Sequence, residues 1–184
     1  MALFKRNWNN RRAIIATVGV MASLVFELPA TFSAHADELT KESVLPLGAA
    51  NKAIQAALEA CKKDGYRVSV SVVDRAGILR AMGRAYGAGP HTVDSSRKKA
   101  YTAASVRRPT TELAELITKI QTLQALREMN DNILMLGGGL PIELVGDVVG
   151  GIGVGGAPGA HLDDACAQAG LDAIGAAPKV QAPK

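Results

Sequence analysis

Three groups of residues carry side chains able to do chemistry. His91 follows a glycine-rich stretch, Gly83 to Pro90, and stands ahead of a basic and aromatic run, Arg97-Lys98-Lys99-Ala100-Tyr101. A neutral imidazole in such a loop can ligate a metal or a haem iron. Arg107-Arg108-Pro109-Thr110-Thr111 sets two guanidinium forks, whose shape matches carboxylates, beside two hydroxyls. Each group has an ordinary role to weigh against this. Lone histidines near helix starts, such as His91 and His161, are commonly surface residues, basic runs are commonly solvated helix faces, and Thr before a helix commonly caps it.

Other motifs are weaker. Gly151-Ile152-Gly153-Val154-Gly155-Gly156 fits G-x-G-x-x-G in letters. A dinucleotide site, however, needs that motif after the first strand of a βαβ unit with an acidic residue about 20 positions on. Here it ends the last predicted strand, so the glycines are read as admitting a neighbouring backbone or an apolar ligand. Two histidines and two widely separated cysteines supply a zinc site poorly. There is no G-x-S-x-G elbow, no P-loop and no histidine paired with an evident nucleophile, which favours binding over catalysis.

The elements that must position these residues follow from periodicity. Apolar residues at Ala50, Ile54, Ala57, Leu58 and Cys61 make one helical stripe within Thr40 to Asp64. Val68, Val70 and Val72 alternate with Ser69 and Ser71, the pattern of a strand with one buried face, and Ile78 to Gly83 returns as its hairpin partner. Helices are expected from Thr92 to Val106 and from Thr110 or Thr111 to about Asn130, divided by Pro109. Three further strands are expected at Ile133 to Leu136, Leu140 to Val145 and Val148 to Val154, with a Gly146-Asp147 turn between the last two, and a final helix from Gly159 to Gly175. Asp163 and Asp164 in its first turns suit the helix dipole. This order implies an α/β domain with a five-stranded, mostly antiparallel sheet and helices on its faces. Cys61 and Cys166 lie on the apolar faces of the first and last helices. If those helices share one side of the sheet the thiols can pair; otherwise they are two buried free thiols.

Residues 1–36 read as a cleavable signal peptide. A basic start (Lys5, Arg6, Arg11, Arg12) leads into an apolar run from Ala13 to Phe26 and a small-x-small site, Ala34-His35-Ala36. The run is too short to span a bilayer, so no membrane anchor is expected, and Arg11-Arg12 leaves general secretion and twin-arginine export both open. Without the leader, four of the 21 basic and one of the 17 acidic residues are gone, leaving 17 against 16. Such a balance offers no basic footprint for nucleic acid. Residues 37–176 then form one domain with an aliphatic core, since Tyr66, Tyr86 and Tyr101 are its only aromatic residues, and 177–184 is an expected disordered tail.

Val70 to Gly77, Arg97 to Ala104, Arg108-Pro109-Thr110, Gly138 to Ile142, Gly151 to Gly156 and Asp164 to Ala167 occur in an order that resembles the GlcG/HbpS family of haem-binding proteins. The resemblance implies a profilin-like α/β/α domain, homo-oligomers that are commonly octamers, and haem or a related tetrapyrrole as ligand in exported members, some of which present haem status to a sensor kinase. The leader pattern gives the expected periplasmic or secreted location, and the candidate haem site is His91, Arg97, Tyr101, Arg108, Thr110 and Thr111, the resemblance admitting a threonine hydroxyl at Thr110 or Thr111 as iron ligand. His91 is the chemically stronger iron ligand and Thr111 the alternative. The rival reading on the same fold is a carboxylate-metabolite binder or enzyme, with Arg97 and Arg108 clamping the acid.

Overall fold

The structure, a computed structural model, describes residues 41–176; the expected signal peptide and tail lie outside the described residues. Helix α1 (Leu47–Lys63) leads into a hairpin of β1 (Ser69–Asp74) and β2 (Leu79–Arg84). Helices α2 (His91–Val106) and α3 (Thr110–Lys119) follow, then a 3-10 helix, Gln121–Glu128. A second hairpin, β3 (Gly139–Leu144) and β4 (Asp147–Gly155), precedes α4 (Ala160–Ala173). The sheet order is β2-β1-β4-β3 and every pairing is antiparallel.

The mixed α/β class and the antiparallel sheet agree with the sequence, but the sheet has four strands, not five. Ile133 to Leu136 stays irregular because its backbone bonds go elsewhere. The Leu134 N–H donates to Thr102 Oγ1 on α2 at 2.8 Å, and the Ile133 N–H closes a turn onto the Asn130 carbonyl at 2.9 Å. Ile133 and Met135 instead fill a small second core with Leu113 and Ile117 of α3. The long helix expected to reach Asn130 stops at Lys119, where the β-branched Ile117, Thr118, Ile120 and Thr122 lower helix propensity and Ile120 is extended. The second hairpin turns at Val145-Gly146, both at positive φ, and Leu144 pairs with Asp147; the turn therefore lies one residue earlier than expected.

Both faces of β1 are buried, where one was expected. Val70 and Val72 join Leu140, Ile142, Ile152 and Val154 in the main core, beneath Ala53, Ile54 and Ala57 of α1 and Ala167 and Leu171 of α4. Ser69 and Ser71 face α2, where their hydroxyls bond Thr92 at 2.7 Å and Ser96 at 2.8 Å. Helices α1 and α4 thus cover one side of the sheet and α2 the other. The first pair is stapled by the disulfide Cys61–Cys166, with Cα atoms 5.5 Å apart.

The motif Gly151-Ile152-Gly153-Val154-Gly155 reads as two faces of one strand. Ile152 and Val154 enter the main core, while the glycines lie under α2. A Cβ on Gly151 would overlap the Ala100 carbonyl oxygen, and one on Gly153 the Ser96 carbonyl oxygen. The helix backbone rests directly on the strand. We expect Gly153→Ala to destabilise by about 3 kcal/mol, the upper end of overpacking costs, whereas Gly48→Ala, at an open position of α1, gains up to about 1 kcal/mol; urea denaturation of both variants checks the contrast. Removal of the disulfide, which closes a loop of sequence separation 105, is expected to cost about 4–5 kcal/mol in the chain-entropy account, read as a fall in the denaturation midpoint on adding reductant.

Candidate functional site

The six residues singled out from the sequence do not share one recess. His91 is the exposed first residue of α2, its ring lying over Gly89, and Arg107 caps the opposite end of the same helix. Sixteen residues separate them, about 24 Å along the axis. Arg97 is held by Asp94 at 3.1 Å and Asn132 at 2.9 Å, and exposed Arg108 lies beyond the far end of α2, about 15 Å away along its axis. The Arg97 guanidinium is thus already engaged by Asp94 and Asn132, and Arg108 stands apart from it. Tyr101 packs its ring on Gly77 and edges the second core. Thr110 is fully buried, with its hydroxyl accepting the Gly139 N–H at 2.8 Å.

Thr111 is different. It is half-buried and lines an open cleft of about 310 Å³ between α3, the Leu136-Gly137 segment and the first residue of α4. Ala114, Leu136 and Ala160 make the apolar walls, and Glu115 and Lys119, which pair across one helical turn at 3.7 Å, stand at its rim. The Thr111 hydroxyl donates to Asp164 Oδ2, and the other oxygen of that carboxylate accepts the Gly138 N–H at 2.6 Å. Gly137 makes room for this, because a Cβ there would overlap Thr111 Oγ1. A second recess of about 450 Å³, lined by Lys62, Tyr66, Arg67 and Tyr86 among others, has more polar walls and contains none of the six residues.

Behind the cleft lies a buried ion pair absent from the sequence reading. Lys99, grouped there with a solvated basic run, is 2% exposed, and its ammonium bonds Asp163 Oδ2 at 2.7 Å and the Val154 carbonyl at 2.9 Å. The signal was available in the spacing: Thr92, Ser96, Lys99 and Ala103 form a single stripe of mostly small residues, and that stripe is buried. Asp163 Oδ1 accepts the Ala157 N–H at 3.0 Å. Burial pushes the Asp163 carboxyl above the ordinary carboxylate range, against the pull of Lys99 and of that N–H. A carboxyl whose pKa is higher folded than unfolded contributes stability that declines as pH rises from the ordinary range through the raised value and is level above it.

Comparison with known proteins turns on this domain. The family described as "Haem degrading protein HbpS-like" matches residues 45–172. The chain belongs to the HbpS-like family. A crystal structure of a double mutant of Streptomyces reticuli HbpS superimposes with TM-score 0.69 at 45% identity, covering 74% of this chain and 90% of that one. A crystal structure of a PduOC:heme complex gives TM-score 0.68 at 25% identity, covering 73% of this chain and 98% of that one. The protein GlcG of Escherichia coli K12 is 32% identical over 105 residues, 57% of this chain and 76% of that protein. In this HbpS-like chain, Lys99 and Asp163 join α2 to the start of α4 next to the cleft. Asp163→Asn is expected to destabilise by about 3–5 kcal/mol, since it leaves the Lys99 charge buried without a counter-charge. The double variant Lys99→Met/Asp163→Asn is expected to recover stability relative to Asp163→Asn alone, and denaturation midpoints of the three proteins decide it.

Proposed function

We propose that this HbpS-like protein is an exported haem-binding protein that holds the porphyrin edge in the α3–α4 cleft with Thr111 as the iron ligand. The observation that carries the reading is the Thr111 hydroxyl, turned by its own proton donation to Asp164 so that its lone pairs are left for the apolar cleft. The residues suit the group. Ala114, Leu136 and Ala160 offer a surface for the ring, and Lys119 offers a cation to a propionate. Bound haem supplies a redox-active iron; the chain supplies an oxygen donor, an apolar wall and a charge. The family description and the heme complex of a similar structure support this choice of ligand.

Export is supported by the leader pattern of residues 1–36 and by the disulfide, a bond that persists in oxidising compartments. The proposal extends to a periplasmic or secreted homo-oligomer, an octamer on the family resemblance, that reports haem status to a sensor kinase. Exposed Ile78, Leu79 and Met82, on the edge strand β2 and the turn before it, provide apolar surface for a second copy. Haemin added to the purified protein is expected to give a shifted Soret band at stoichiometric ratio. Thr111→Val should weaken binding at least about tenfold, and His91→Ala should leave it within about twofold, His91 being outside the cleft. An unchanged haemin spectrum, or a titration sensitive to His91 alone, would defeat the assignment of the site.

A further inference from the structure

A Thr hydroxyl has one proton and two lone pairs, and a carboxylate only accepts. Where Thr111 donates to Asp164, the direction of that hydrogen bond is therefore settled by the chemistry of the partner. Asp164 cannot readily turn away, because its second oxygen is held by the Gly138 N–H at 2.6 Å and it stands on the first turns of α4. Gly137 and Gly138 bring that loop close, with Gly138 at φ 109 and its α-carbon facing Asp163 and Lys99. The hydroxyl proton is thus pinned on the inner side, and the cleft meets only an electron-pair donor.

We propose that Asp164 is a positioning residue that makes Thr111 an obligate acceptor, so that the cleft selects an electron-pair-accepting centre, a metal cation held in a planar apolar ligand, over an anion. This rests on the haem reading for the identity of the metal and extends it to how the ligand atom is prepared. Asp164→Asn is the informative change. The Asn carbonyl oxygen can keep the Gly138 N–H, which leaves the amide NH2 facing Thr111. Thr111 Oγ1 must then accept from that amide, and its proton turns into the cleft. One of its two lone pairs is then taken and its proton competes with the other for the cleft, so the site becomes a poorer acceptor with almost no change in shape.

Haemin titrations of the wild type, Thr111→Val, Asp164→Asn and the double variant test this. Asp164→Asn is expected to lose affinity by about 10–100-fold and to show the ferric absorption and electron paramagnetic spectra of Thr111→Val. The double variant is expected to be no weaker than Thr111→Val, since one pathway cannot be lost twice. Wild-type spectra and affinity in Asp164→Asn, or additive losses in the double variant, overturn the proposal. A haem-free arm separates it from the reading beneath it. The Thr111 hydroxyl proton, shielded in its bond to Asp164, is expected as a slowly exchanging NMR signal in the wild type and is expected to vanish in Asp164→Asn. If haemin does not bind the wild type, the haem reading fails while a present signal upholds the role of Asp164; if the signal is absent from the wild type, the role of Asp164 fails whatever haemin does.

Discussion

The approach of α2 to the sheet depends on the absence of side chains between them. Gly139, Gly151, Gly153 and Gly155 leave no Cβ on the strand side, and Ser96, Lys99 and Ala100 present backbone carbonyls in the space so released. Dispersion falls steeply with separation, so a helix in backbone contact with a sheet gains from every atom pair and is fixed in register. The polar groups buried by that approach pair with each other, Ser69 with Thr92 and Ser71 with Ser96. A hydroxyl pair fills the space of one larger side chain while leaving no donor orphaned.

That closeness determines what happens to Lys99. On a helix held farther from the sheet its side chain would reach solvent; here it runs beneath Gly138 to the end of β4 and the first turn of α4. A buried ammonium needs a carboxylate, and Asp163 supplies it. The next residue, Asp164, ties the adjoining glycine loop to Thr111. Two consecutive acidic residues thus do separate tasks: one neutralises a charge in the interior, and one orients a hydroxyl at the surface of a cleft. The three-glycine loop is the piece they share, since Gly137, Gly138 and Gly139 each lie where a side chain would strike Thr111, Lys99 or Thr110.

The opposite side of the sheet follows a different rule. Val, Ile and Leu side chains from three strands meet the alanine-rich stripes of α1 and α4, and Gly170 lets the two helices approach at the Ala53 carbonyl. The disulfide ties α4 to α1 at Cys166 and leaves α3 and the glycine loop unbridged; the cleft walls reach α2 through hydrogen bonds, one ion pair and the packing of Tyr101 and Val106 on the second core.

The amino-acid sequence by itself determined the features that repeat over short distances. Alternation placed β1 and β4, the stripes of Ala and Cys placed α1 and α4, and the ordered motifs indicated the family. Thr111 was among the candidate ligands on its hydroxyl and on the family resemblance. Only the tertiary structure decided that Ile133 to Leu136 gives its bonds to α2 instead of a fifth strand, that Ser69 and Ser71 are interior, that Lys99 is buried, and that Thr111 alone of the six candidates lines the α3–α4 cleft. The reason is the range of the interactions: periodicity records which face a residue occupies on its own element, whereas the partners of Lys99 and Thr111 lie 64 and 53 residues away and are brought to them by packing of the helix on the sheet.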